Sequence, residues 1–244
     1  NRFKTLQDDG VQVEKRFLNP NDIEYLLNFY KKNKILKQDY LKDLSELIIN
    51  SNLPHIKNPT SHKKDFLELY DWLDSKINFA RLFKDFSGND MRSKPYVSIL
   101  HNKHFHNDSS FTPQADGNAR AHRDVFYPSY KIFIYLSDVC EDNAAFTYYP
   151  GSHNKNDNSI SEIYKNSLKY YSSGSSVNVE QKSNSYNKSF CCEGDAGDAI
   201  FFNVQGIHKR GQFKDDQDRE RIVLLIDFRQ NDALILKHDN VWHK

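Results

Sequence analysis

Apolar residues recur at three- and four-residue steps along the first hundred positions and in short runs thereafter, so the chain reads as helices followed by strands. Residues 1–18 read as an extended leading segment, from the Val11-Gln12-Val13 alternation. Asn19-Pro20-Asn21-Asp22 is a helix start, because Asn and Asp accept orphan N–H bonds and proline is harmless in the first turn. Ile23, Leu26, Leu27 and Tyr30 then share one face. Leu41, Leu44, Leu47 and Ile48 predict a second helix over 38–49. Phe66, Leu69, Tyr70, Leu73, Ile77, Ala80 and Phe83 predict a longer third from Ser61, ended by Ser87-Gly88-Asn89-Asp90.

From Tyr96 the period changes. Residues 97–100, 120–125, 131–136, 145–149, 199–203 and 221–228 read as strands without the amphipathic helices that a doubly wound sheet places between them. A sandwich or barrel follows. Residues 101–118, with Pro113 and Gly117, read as a loop at the mouth of a pocket. Residues 154–190 are dense in Asn, Ser, Lys and Tyr and read as an inserted lid or flap with one weak helix at 159–170. The expected organisation is one domain over 1–244. A helical region over 1–95 packs on a β core over 96–229, which carries the insertion 154–190 and is followed by a C-terminal extension 230–244.

Composition narrows the class. A hydrophobic fraction of 38%, with 17 Phe and 14 Tyr in 244 residues, is enough for a real core and excludes wholesale disorder. The net charge of +1 provides no field to hold a nucleic-acid backbone. Three cysteines, two of them adjacent at Cys191-Cys192, do not make a disulfide framework. No apolar run approaches the length of about 18 residues that reads as a membrane span. The expectation is a cytoplasmic protein without a transmembrane segment.

The candidate chemistry centres on Ala121-His122-Arg123-Asp124. In a strand His122 and Asp124 point to one face, so an imidazole and a carboxylate can grip one metal ion. A third ligand from far along the chain would complete a two-histidine, one-carboxylate face. Such a face suits non-haem Fe(II) because it leaves positions for co-substrate and oxygen. Alone the triplet says little, since 10 histidines and 33 acidic residues make His-x-Asp common by chance. Both His153 and His208 lie downstream.

The pieces AHRDVFYP, IFIYLSDV, YYPGSH, GDAIFF, His208 and RIVLLIDF follow one another across residues 119–229. Together they resemble the phytanoyl-CoA dioxygenase family of Fe(II)/2-oxoglutarate-dependent oxygenases. The resemblance implies a mostly β fold with flanking helices around a double-stranded β-helix, the cupin-like jelly roll. It implies iron on His122, Asp124 and His208, with His153 the rival third ligand. It also implies an arginine at the start of the final strand that pairs with the far carboxylate of 2-oxoglutarate. Arg221 stands 13 positions beyond His208, a longer gap than the family's, and has Phe228 seven positions on, as the strand usually runs; Arg219, at 11, is the alternate. An arginine fork meets both carboxylate oxygens, which a lysine does only as a point charge. Tyr135 corresponds to an aromatic against the co-substrate, and Lys131, on the same strand face, is an additional carboxylate partner or a plain strand-end lysine.

The activity so implied is oxidation of a C–H bond with release of succinate and carbon dioxide. Halogenases of this kind replace the carboxylate with a small residue, so Asp124 favours hydroxylation, with desaturation, ring closure and epimerisation also open. The expected partners are molecular oxygen and a polar small molecule, anionic or carrier-bound, near the 101–118 and 154–190 segments. Arg123, pointing away from iron, and Lys209 and Arg210 are candidate anion sensors. His104 and His106 suggest scattered loop histidines before a second metal. The competing readings are a cupin-like metal enzyme that does not use 2-oxoglutarate and a non-catalytic barrel serving as a binding module.

Overall fold

The strand-period half of the chain, joined by two strands from the first half, builds two antiparallel sheets that pack face to face, and helices cover the outside of one of them. The structure, a computed structural model, describes residues 2–33, 44–47, 62–91, 94–104, 120–124, 129–154, 177–178, 188–214 and 218–229. In chain order the elements are α1 (Lys4–Asp9), β1 (Val11–Glu14), α2 (Pro20–Asn33), β2 (Leu44–Leu47), α3 (His62–Ile77), α4 (Phe79–Ser87) and β3 (Tyr96–His104). They continue with β4 (His122–Arg123), β5 (Ser129–Tyr135), β6 (Phe146–Tyr148), β7 (Val177–Asn178), β8 (Phe190–Cys192), β9 (Ala199–Asn203), β10 (His208–Arg210) and β11 (Arg219–Arg229). One sheet has six strands in the order β1-β9-β5-β11-β3-β2 and the other five in the order β7-β4-β10-β6-β8. This is the expected jelly-roll architecture.

Alternation along the larger sheet explains why its strands read as continuous apolar runs. Ile132, Ile134, Phe201, Leu224, Ile226 and Phe228 point outward and pack with Leu26, Leu69, Leu73, Phe79, Phe83 and Phe86 of the helices. Tyr135, Ile200, Phe202 and Val223 point inward to Phe146 and Tyr148 of the smaller sheet. Both faces are buried, and each fully buried large apolar side chain stabilises the fold by about 1.5–3 kcal/mol. No described helix is long and apolar enough to cross a membrane.

Local departures from the sequence reading have physical causes. The leading segment is not wholly extended: α1 forms because Phe3 and Leu6 bury in the core and Gly10, at φ 82°, caps it through an N–H bond to the Leu6 carbonyl. The third predicted helix is two, α3 and α4. Asn78 breaks it at φ 51°, its side chain accepting from the Arg81 N–H at 3.1 Å while Asp74 Oδ1 accepts from Phe79 N–H at 2.8 Å. Within the predicted 38–49 helix the described stretch is strand β2, paired with β3, where an open sheet edge supplies backbone partners that outweigh leucine spacing. β3 itself runs on to His104, so the predicted loop starts later than His101. Its polar His101-Asn102-Lys103-His104 end is held by pairing to β11 and, over His101 and Asn102, to β2. Residues 105–118, the 159–170 helix and the 230–244 extension lie outside the described residues, but β7, within the 154–190 insertion, joins the smaller sheet beside β4.

Candidate metal centre

β4 supplies the first two site residues and β10 the third. His208 is in register with His122 on one side and with Tyr148 of β6 on the other, so main-chain pairing alone brings the two histidines together across 86 positions of sequence. Asp124 follows β4, its N–H bonded to the Val204 carbonyl at 3.3 Å. His122 and His208 are 5% and 4% exposed, and Asp124 keeps a partly open face. His122, Asp124 and His208 each offer one ligand atom, and these atoms lie within 4.8 Å of one another.

The hydrogen bonds set the tautomers. His122 Nδ1–H donates to the Arg120 carbonyl at 2.7 Å and His208 Nδ1–H to the Gly206 carbonyl at 2.9 Å, since a carbonyl oxygen only accepts. Each Nε2 is thereby turned toward Asp124 Oδ1, at 3.3 Å from His122 and 3.4 Å from His208. Burial pushes the His208 imidazole below its ordinary pKa despite the attraction of Asp124. Burial alone would raise the Asp124 carboxyl, but the Lys131 ammonium is the largest opposing influence and the group lies well below the usual carboxylate range. A neutral His208 and an ionised Asp124 therefore aim lone pairs at one point, which a cation satisfies. Backbone partners on Nδ1 are the usual support for imidazole ligands. Gly206 is required at its position, because a Cβ there would collide with Tyr148 Oη.

Inside the barrel, Arg221 is 3% exposed and its Nε has no hydrogen-bond partner among the described residues. Its guanidinium lies over the Phe133 ring at 5.7 Å from the centroid. Burial lowers its pKa, with Tyr135 and Cys192 opposing, yet a guanidinium stays charged in proteins. Arg219 is less buried and lies 4.0 Å from Asp142 Oδ2, so a carboxylate already faces it. Arg210, two positions beyond His208 on the same strand face, is half-buried, and desolvation and the charge of Arg221 push it down to about 10. Tyr135 is fully buried and donates its hydroxyl to the Cys192 carbonyl at 2.5 Å. Burial raises its pKa far above the ordinary value, so it stays protonated.

Further polar residues of the strands and turns have partners of their own. His153 Nε2 is 3.1 Å from the Gln7 carbonyl, beside α1 and away from the trio. Arg123 points away from the histidines as expected, but it is buried and donates to the carbonyls of Ser152 and Gln205, tying two turns together. Asp198 is a turn anchor, accepting from the N–H groups of Arg16 and Asp195 and pairing with Lys15 at 2.7 Å. Lys131 sits 2.6 Å from Asp124 Oδ2 and 4.0 Å from Asp227 Oδ2. Asp227 escaped the sequence reading; the available signal was an acidic residue inside the apolar run of β11.

A comparison with curated protein sequences finds no match. Among solved structures, AviO1 from Streptomyces viridochromogenes Tue57 is 16% identical, with 95% of this chain and 94% of that chain covered at a TM-score of 0.55. HygX from Streptomyces hygroscopicus, with nickel and 2-oxoglutarate bound, is 14% identical over 91% of this chain and 83% of its own, TM-score 0.55. The epimerase SnoN from nogalamycin biosynthesis, in complex with Fe3+, alpha ketoglutarate and nogalamycin RO, is 14% identical over 96% and 88%, TM-score 0.57. At such identities the likeness is one of fold. A sequence model of the family described as phytanoyl-CoA dioxygenase (PhyH) matches residues 6–220, a span that includes His122, Asp124 and His208. On that match the chain belongs to the phytanoyl-CoA dioxygenase family.

Proposed function

We propose that the protein is an Fe(II)- and 2-oxoglutarate-dependent oxygenase that hydroxylates an unactivated C–H bond of a polar small molecule, with succinate and carbon dioxide as co-products. The observation that carries this reading is a convergence inside one barrel. Two buried imidazoles and a carboxylate meet at one point, and a buried guanidinium whose Nε has no hydrogen-bond partner among the described residues lies on the inner wall. Buried charge is costly unless it is answered by opposite charge, so the first group calls for a cation and the second for an anion.

His122, Asp124 and His208 would hold the iron, and Arg221 would take the far carboxylate of 2-oxoglutarate. Iron, 2-oxoglutarate and oxygen together supply an oxidant able to take hydrogen from an aliphatic carbon. The chain contributes placement and exclusion of water. The carbonyls of Arg120 and Gly206 orient the imidazoles. Tyr135, whose hydroxyl is held by the Cys192 carbonyl, lies near Arg221, and Phe133, Phe146 and Phe202 line the barrel interior with apolar rings. The carboxylate of Asp124 fills the place a halide would need, which supports hydroxylation over halogenation. Three free thiols, two of them adjacent, support residence in the cytoplasm.

Epimerisation is the second reading, supported by the fold shared with SnoN, described as an alpha ketoglutarate dependent epimerase. It needs the same ligands and differs in the fate of the substrate radical. A cupin-like enzyme without 2-oxoglutarate, or a non-catalytic barrel, leaves Arg221 without a task. The test is aerobic incubation with Fe(II), 2-oxoglutarate and a panel of polar metabolites, with succinate and substrate products followed by mass spectrometry. Substrate-dependent succinate, lost in His122→Ala, is expected. A product heavier by one oxygen marks hydroxylation, and one of unchanged mass but altered stereochemistry marks epimerisation. Absence of succinate across the panel, with metal bound, would count against 2-oxoglutarate as co-substrate.

A further inference from the structure

Lys131 takes no role in the chemistry above, yet it touches the metal centre. β5 and β11 run antiparallel with Lys131 directly opposite Asp227. The ammonium reaches from that pair to Asp124 Oδ2, at 2.6 Å, and remains 4.0 Å from Asp227 Oδ2. The other oxygen of Asp124, Oδ1, is the one facing both imidazoles, at 3.3 and 3.4 Å. The two oxygens of one carboxylate thus have different partners, an ammonium on one and the imidazole pair on the other.

That division has a chemical consequence. A carboxylate with one oxygen tied to a cation presents only the other to a metal, and the tie fixes its rotation. Carboxylate ligands depend on such outer partners for affinity. Asp227 is 6% exposed, and a carboxylate so buried requires a cation nearby. It therefore acts as the anchor that keeps Lys131 on its side of the barrel. Lys131 and Arg221 bracket Phe133: Lys131 lies two residues before it on the same strand face, and the Arg221 guanidinium lies over its ring. The ammonium belongs to the metal end of that arrangement.

Resting on the iron and 2-oxoglutarate reading, we infer that Lys131 is a positioning residue for Asp124. It holds the carboxylate with Oδ1 toward the metal and Oδ2 away, with Asp227 as its counter-anchor, so that the ligand set stays one oxygen and two nitrogens. Its role is not to grip 2-oxoglutarate.

The experiment compares the full chain with Lys131→Met, Lys131→Gln, Lys131→Arg and Asp227→Asn, all anaerobic. Co(II) and Fe(II) affinity is read by chelator competition, ligand-field geometry by the visible spectrum of the Co(II)-loaded protein, and 2-oxoglutarate affinity on metal-saturated protein. Lys131→Met and Lys131→Gln are expected to weaken metal binding by about 10- to 100-fold and to alter the Co(II) spectrum. Lys131→Arg should partly restore both, Asp227→Asn should fall between, and 2-oxoglutarate affinity at metal saturation should change least. Wild-type metal affinity and an unaltered Co(II) spectrum in Lys131→Met or Lys131→Gln overturn the inference. So does a larger loss of 2-oxoglutarate affinity than of metal affinity, which would make the lysine a co-substrate partner. The criteria apply to every variant that keeps the wild-type circular dichroism spectrum. A wild-type chain that binds no metal defeats the oxygenase reading itself, whereas equal binding by wild type and variants defeats only this assignment.

Discussion

The two faces of the six-stranded sheet are made by the same strands and do opposite things. On the outward face of β5 and β11, Ile132, Ile134, Leu224, Ile226 and Phe228 meet the helices in an all-apolar core. On the inward face of the same two strands stand Lys131, Tyr135, Arg221 and Asp227, buried or nearly so, on the side of the smaller sheet that carries the imidazoles. A period of two separates stability from chemistry at single-residue resolution. Charges that would be ruinous one position along are useful here because a metal and a carboxylate can answer them.

The sharpest break of this contrast is His208→Ala, which should abolish metal retention and turnover while leaving the thermal unfolding midpoint of the metal-free protein close to wild type. Isothermal titration with Co(II) and a thermal melt read the two halves of that statement. A melt collapsed by the substitution would show that the inner face is also structural. Next comes the opposite face: Phe228→Ala removes a ring packed against Phe79, Phe83 and Phe86. It should cost about 3–5 kcal/mol in chemical denaturation and leave metal affinity of the folded fraction unchanged. Arg221→Met should weaken 2-oxoglutarate by about 2 kcal/mol or more, roughly 30-fold, with little loss of metal. Because it removes a buried charge whose Nε has no hydrogen-bond partner among the described residues, the co-substrate-free protein should melt at or above the wild-type temperature.

The smallest effect concerns an inward-parity charge that serves a turn. Asp198 is an acid whose folded pKa lies below its ordinary value. Burial acts to raise it, and Lys15 with the N–H groups of Arg16 and Asp195 outweighs that. The stability it contributes is present above the ordinary carboxylate range and is lost as pH falls through its lowered folded value. Asp198→Asn should lower the melting temperature at pH 7 slightly and flatten its decline in acid below about pH 4. An unchanged acid profile would remove the turn from the pH-dependent share of stability.

What the sequence disclosed follows the same division. β5, β9 and β11 were legible because both of their faces are buried, which writes an unbroken apolar run into the chain. β10 was not, since His208-Lys209-Arg210 contains no apolar residue and takes its strand conformation from pairing to β4 and β6. β2 was hidden by leucines that also fit a helix, and α1 by its six-residue length. His122 and Asp124 could be paired from strand period alone, but His208 came only from likeness to a family, because nothing local ties positions so far apart. The Lys131–Asp227 pairing was invisible for a similar reason: it depends on the register of two strands distant in sequence. Arg219 and Arg221 share a face in the sequence, and their difference in burial appears only once the barrel closes.

The proposed chemistry requires one cation and one dicarboxylate to be held together within this barrel. Anaerobic addition of Fe(II) and then 2-oxoglutarate, followed by visible absorption, tests that requirement. A new band that saturates with 2-oxoglutarate in wild type, is lost in His208→Ala, and requires higher 2-oxoglutarate in Arg221→Met is the predicted result. Iron that binds the wild-type chain with no band at any 2-oxoglutarate concentration would contradict it.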